Sequence, residues 1–397
     1  MKKILYLYTS GRKERLDDLK FGNAPRDFLY GYTYLKNQGL DVDYLETDHF
    51  PQEKQYLEYW KLFYRNKKFA RQLGIGNRSH YYINQLKRLN AYDVIIATTD
   101  SIALGLAYFK QQNRLSPNII YLNMGLVGAL ERMKRSDGVL FNEYKEMCSR
   151  YIQQCRLVWS AGKREEQFFS SEYERCREKF VYSPWGIDIE FWKPDTSLVN
   201  KEKRILFVGN DRNRDFNQVL EISRQRPDIQ FNFVTLRIDQ SNCGPNVRLY
   251  QGSLTNRFLS DLELRTLYNE SALVILPLSE SLQPSGQSVS LQAMACGRPV
   301  AITKTSGLWD LTLMRNEENC LLITTGVKGF VDVIDELDYR SNYFYNIGNM
   351  ARKTIVKHLQ TPFGSEFRVS THQALDPVMR VTSFFFGLRL FLDRFTE

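Results

Sequence analysis

The chain has 397 residues, 43% of them apolar and 13% aromatic, with a formal net charge of +9. This length and apolar content exceed what one hydrophobic core ordinarily serves, so a disordered polypeptide and a small stapled module are excluded and two domains are expected. The six cysteines, Cys148, Cys155, Cys176, Cys243, Cys296 and Cys320, form no Cys-x-x-Cys and no Cys/His cluster, so neither a disulfide framework nor a metal site is expected.

KILYLYT (3–9) reads as a buried strand, and its apolar run is too short for a signal-peptide core, so the expected location is the cytoplasm. A polar loop follows. Pro25 then opens a helix with Phe28, Leu29, Tyr32 and Leu35 at helical spacing, closed by Gly39 before the strand VDYLET. Between Lys54 and Arg88 nine basic residues stand against one acid, Glu58, a balance of +8, interleaved with Tyr56, Tyr59, Trp60, Phe63, Tyr64, Phe69, Tyr81 and Tyr82. Basic and aromatic residues together suit an anionic membrane surface at the inner face; the alternative is a helix pair whose aromatics face the core. Nucleic acid is the least favoured partner, because no nucleic-acid motif accompanies the charge.

DVIIATT (93–99), NIIYLNM (118–124) and RLVWSA (156–161) continue a strand and helix alternation. The pattern then restarts with RILFVG (204–209), IQFNFVT, NVRLY, ALVILPL and PVAIT. The expected fold is therefore α/β, with two Rossmann-like domains facing a cleft: residues 1–183 on the acceptor side, a linker at 184–203 with no helical or strand period, and a nucleotide-binding domain at 204–364. A helical tail at 365–397, ending VTSFFFGLRLFLDRF, is expected to pack back on the first domain. No stretch reaches the roughly 18 uninterrupted apolar residues of a membrane span.

Ligands of doubly wound sheets sit beyond the carboxyl ends of the strands, so the loops after each strand carry the candidates. After ALVILPL comes SESLQPSGQ and then a helix beginning near Ser288. Gly286 permits close backbone approach, and the free amides of Gln287 and Ser288 at the helix start favour an anion. Gln292 lies one turn further on. After RILFVG, Arg212 and Arg214 are placed to grip a diphosphate, with Lys304 after PVAIT as a weaker cation. In the first domain Arg26, Asp27 and Asp100 occupy carboxyl-end positions as acceptor-side candidates. His49 and His80 have no evident partner, so no general base is assigned.

Three segments resemble the family 4 (group 1) retaining glycosyltransferases: KFVYSPWGIDIEFWKP (179–194), FVGNDRNRDF (207–216), and LYNESALVILPLSES through PSGQSVSLQAMACGRPVAITKTSGLWDL with ENCLLI after it. The resemblance is dense over the linker and second domain and extends to the first only in layout. It implies the GT-B fold and transfer of a hexose-type sugar from a nucleoside diphosphate sugar to a polysaccharide or lipid-linked acceptor, with retention and without a metal. The only cofactor-like molecule implied is the donor itself, with UDP-sugar ahead of GDP-sugar. The family's Glu-x7-Glu pair falls on Pro284 and Gln292. The resemblance thus leaves Gln292 for the ribose, and Glu280 to supply a carboxylate beside Arg214 in catalysis. Two other functions stay open: a nucleotide-sugar epimerase, and a nucleotide-sugar-binding module without turnover.

Overall fold

The computed structural model describes residues 2–52, 54–198, 204–251, 259–337 and 339–359. The first sheet comprises β1 (Lys3–Tyr8), β2 (Asp41–Glu46), β3 (Val94–Ala97), β4 (Asn118–Leu122), β5 (Cys155–Ser160) and β6 (Phe180–Tyr182), in the order β2-β1-β3-β4-β5-β6. The second comprises β7 (Arg204–Val208), β8 (Gln230–Val234), β9 (Val247–Tyr250), β10 (Leu273–Leu276), β11 (Val300–Thr303) and β12 (Leu321–Ile323), in the order β12-β11-β10-β7-β8-β9. Neighbouring strands run parallel throughout.

Strands such as VIIA and LVIL are buried along their whole length. A parallel sheet covered by helices on both faces needs apolar residues on both, so alternation disappears. Each such Ile, Leu or Val contributes roughly 1.5–3 kcal/mol by leaving water. Ten of the strands match the apolar runs in the sequence; β6 and β12, three residues each, extend the edges and are too short to register as runs of their own.

Topology decides where a ligand can bind. In the first sheet strand order reverses between β1 and β3, and in the second between β7 and β10. At these switch points the loops leave in opposite directions and open a crevice.

Two expectations are corrected. The polar stretch after β1 is not a loop but a helix, Arg12–Lys20, whose buried residues are Arg12 and Arg15. Its residues favour helix without forming an apolar stripe, so apolar periodicity misses it. The helix expected from Pro25 is instead a single 3-10 turn, Asp27–Leu29, followed by a short helix, Tyr32–Asn37. Tyr30 and Gly31 between them both hold positive φ, 49° and 82°, which no continuous right-handed helix accommodates.

The linker segment is packed rather than loose. Ile187, Phe191 and Trp192 enter the second domain's core. The Trp192 indole donates to Asp27 Oδ2 at 2.6 Å, tying that core to the first domain. The expected tail packing at 365–397 lies outside the described residues.

Candidate functional site

The loops after β7 and β10 meet at the second switch point. The Asp215 amide donates to the Pro277 carbonyl at 3.0 Å, and the Ser279 amide to the Asn213 carbonyl at 2.9 Å. An isolated antiparallel bridge pairs Arg214 with Leu278. This pairing turns Arg214 inward, where it is 5% exposed, and its Nε donates to the Val208 carbonyl at 3.3 Å. Arg214 Nη1 lies 3.1 Å from Asp211 Oδ2 yet makes no aligned hydrogen bond, so it keeps a donor for an incoming anion. A side chain at Gly209 would collide with this guanidinium.

Gly286 precedes the helix Gln287–Ala295 with φ 79°, and a Cβ there would lie 3.3 Å from Arg214 Nη1. Both facts demand glycine. No side chain caps this helix. Its first amides therefore lack intrahelical partners and carry the positive end of the helix dipole.

Two cavities adjoin this point. The first, about 450 Å³, is lined by apolar residues including Val234, Leu259 and Leu264 and by polar ones including Arg214, Ser288 and Gln292. Gln292 Oε1 accepts from the Tyr268 hydroxyl at 2.9 Å, which leaves Nε2 as donor. Arg15 and Phe28 close the cavity from the first domain. Arg15 spans the cleft to Asp261 with two bonds, Nε–Oδ2 at 2.9 Å and Nη2–Oδ1 at 3.0 Å. Nothing local in the sequence marks this pair.

The second cavity, about 360 Å³, lies on the other side of Arg214 and Ser288, which line both. First-domain residues Arg12, Tyr30, Thr99, Asn123 and Glu165, with Trp185 of the linker, line it together with the segment Gln283–Ser288. The cleft is bridged here: Gln287 Nε2 donates to the Ala161 carbonyl at 3.2 Å, Gln283 Nε2 to the Met124 carbonyl at 2.7 Å, and the Leu282 amide to Glu131 Oε2 at 2.9 Å.

The expected site residues divide. Arg214, Gly286, Gln287, Ser288 and Gln292 gather at the cavities. Arg212 does not, because its guanidinium lies over Gly74 at the end of the helix Leu57–Leu73. Glu280 is exposed and accepts from the Ser306 amide at 3.0 Å, so it lines neither cavity. Lys304 is exposed and likewise lines neither.

The acceptor-side candidates are structural in place. Asp27 is buried, accepting from Trp192 and from the Asp188 amide. Burial and then the neighbouring Asp188 carboxyl hold its pKa well above the usual carboxylate range. The Arg26 amide donates to Asp188 Oδ2 at 3.1 Å. Asp100 accepts from the Tyr121 hydroxyl at 2.6 Å and the Met124 amide at 3.0 Å, which organises the turn after β4, and burial raises its pKa. His80 is buried against Tyr59 and Phe63, and burial then Arg78 lower its pKa to about 4, so it is neutral at pH 7. Among the described residues no group of three or more His, Cys, Asp or Glu is placed to hold a metal ion.

Residues 202–338 match the family model of glycosyl transferases group 1. No curated protein matches the chain in sequence. Among solved structures, HepE from Anabaena, in complex with UDP and glucose, is 16% identical over 98% of this chain and 100% of its own, with a TM-score of 0.61. Sucrose-phosphate synthase from Thermosynechococcus elongatus is 14% identical over 100% of both chains, with a TM-score of 0.68. WaaG, a glycosyltransferase involved in lipopolysaccharide biosynthesis, is 14% identical over 89% of this chain and 95% of its own, with a TM-score of 0.59. Residues 202–338 thus resemble a group 1 glycosyltransferase domain, and the two sheets together adopt the GT-B fold.

Proposed function

We propose that the protein transfers a hexose-type sugar from a nucleoside diphosphate sugar, UDP-sugar ahead of GDP-sugar, to a glycan or lipid-linked acceptor with retention of configuration. One observation carries this reading. Arg214 and the uncapped start of the helix Gln287–Ala295 converge where the two cavities meet. A diphosphate leaving group gains charge as the glycosidic bond breaks, and fixed donors at that point stabilise it without reorganising. The apolar lining of the first cavity suits a base, Gln292 Nε2 a ribose hydroxyl, and the second cavity the sugars. This scheme requires no metal. The UDP complex of HepE supports the choice of base.

Calorimetry with UDP, GDP and ADP and their glucose esters tests the donor, and proton NMR of the product's anomeric signal tests retention. Micromolar binding of one diphosphate with turnover giving the donor's own anomeric configuration is the expected result. An epimerised free sugar, or binding without turnover, would reject transfer.

The acceptor reading rests on the helix Leu57–Leu73. Tyr59, Leu62, Phe69 and Leu73 face the core, while Leu57, Trp60, Lys61, Tyr64, Lys67, Lys68 and Arg71 form one exposed stripe. Apolar and basic side chains on one solvent face suit an anionic membrane that carries a lipid-linked acceptor, with the protein peripheral on the cytoplasmic side. No helix among the described residues is long and apolar enough to cross a membrane. Reversing the charges at Lys61, Lys67, Lys68 and Arg71 should abolish co-sedimentation with phosphatidylserine vesicles; unchanged sedimentation would sink the membrane reading.

A further inference from the structure

The second cavity contains a carboxyl that the expected site lacks. Two carboxyls line it, and Asp211 is paired with Arg214. The other, Glu165, sits in the first turn of the helix Lys163–Glu172 and is 1% exposed. Its Oε1 accepts from Asn123 Nδ2 at 2.9 Å, while Oε2 has no hydrogen-bond partner of ordinary geometry. Asn123 is itself held, its Oδ1 accepting from the Leu126 amide at 3.2 Å and its own amide donating to the Trp159 carbonyl at 3.0 Å. The carboxyl is therefore oriented from one side by Asn123, while Oε2, approached only by the backbone of Gly162 and Ala161, keeps capacity for a ligand's hydroxyl.

The walls agree. Tyr30 and Trp185 meet edge to face at 5.3 Å beside Phe28. Tyr30 holds φ 49°, a left-handed conformation that an aromatic residue adopts only when its surroundings impose it. Pro284 closes the far wall, its ring 3.0 Å from where a Cβ of Gly162 would stand, three residues before Glu165. Apolar rings with a few convergent polar groups match a sugar, whose C–H face is apolar and whose rim is hydroxyl.

We propose that this chamber holds a hexose ring and that Glu165 binds one of its hydroxyls, with Asn123 positioning the carboxyl. The inference rests on the glycosyl-transfer reading and adds the residue that selects the sugar. Burial holds the Glu165 pKa well above the usual carboxylate range, against smaller lowering by Asn123 and by the backbone of Gly162 and Ala161. With Oε1 occupied by Asn123, Oε2 meets the sugar hydroxyl, donating to its oxygen when protonated and accepting from it when ionised. The ring belongs either to the donor sugar or to the acceptor terminus, since both meet at Arg214 and Ser288.

The full-length chain distinguishes these sources. Affinities for UDP and UDP-glucose are measured by calorimetry, and binding of methyl glucoside, galactoside and mannoside to the UDP-saturated protein by saturation-transfer NMR. For Glu165→Leu the expected result is UDP affinity within twofold of wild type and UDP-glucose affinity reduced at least tenfold if the ring is the donor's. If the ring is the acceptor's, UDP-glucose affinity holds and glycoside binding disappears. Glu165→Gln, which keeps a donor at the Oε2 position, should restore whichever was lost, as no mere packing role predicts. Tyr30→Gly suits the left-handed backbone and should weaken the same ligand, so it decides the matter if the leucine variant fails to fold. Sugar binding unchanged in Glu165→Leu and in Tyr30→Gly overturns the proposal. A wild type that binds no nucleotide overturns the donor reading instead, and the glycosides alone then decide on the chamber.

Discussion

Arg212 and Arg214 occupy one loop two positions apart and serve different neighbours. The bridge from Arg214 to Leu278 turns its guanidinium under Gly286, whereas Arg212 reaches Gly74 in the other domain. Arg214→Ala should therefore weaken UDP binding by about 30- to 150-fold, roughly the 2–3 kcal/mol of a charge-assisted contact. Arg212→Ala and Glu280→Gln should each change it less than about twofold by the same calorimetry, because neither side chain lines a cavity. The sequence shows that cations follow β7; which one turns inward depends on a pairing with Leu278, 64 residues further along the chain. Glu165 was missed for a related reason. It lies in KREEQFF beside a second glutamate, and only the packing of its helix buries Glu165 while leaving Glu166 half-buried.

Among the elements, the segment PWGIDIEFW acts as a fastening between domains. Asp188 and Asp27, both buried, share it with Trp192, and burial raises the pKa of each. In the unfolded chain such carboxyls ionise near 3.8; in the folded protein they keep their protons to higher pH. With these carboxyls the native state binds more protons between these limits, so their contribution to stability falls as pH rises above about 4. Asp100 and Glu165, also raised by burial, act in the same direction. His80, whose pKa burial lowers to about 4, acts in the opposite direction between pH 4 and 6.5, equally in wild type and variant. Asp27→Asn should be about 1 kcal/mol less stable than wild type at pH 4, having lost the indole bond, and chemical-denaturation midpoints measured from pH 4 to pH 8 should show that gap narrowing as pH rises. The helix Arg12–Lys20 carries a second lesson. Its buried face is made of arginines, so the apolar stripe that betrays other helices is absent. The buried charges belong to the cleft rather than to a core, and that is why the pattern fails where the function lies.

Across the whole molecule, the cleft is joined by the buried Arg15–Asp261 pair, 246 positions apart in sequence. Each residue is desolvated, so removing either strands a charge while removing both does not. A double-mutant cycle of Arg15→Ala and Asp261→Ala, read by chemical denaturation, should give a coupling of about 1–3 kcal/mol; additivity would show that the pair contributes nothing to domain contact. The sequence by itself determined the two parallel sheets and the glycine-led helix start after β10. These depend on apolar runs, turn residues and local spacing, all carried within a few residues. Only the tertiary structure decided which of two arginines lines the cavities, that Glu280 turns to Ser306, that Glu165 and Asn123 line one cavity with Pro284, and that Arg15 closes on Asp261. Those outcomes depend on contacts between residues far apart in the chain, within the second domain for Arg214 and Glu280 and across the cleft for the others, and a contact at long range leaves no periodic trace in either partner's neighbourhood.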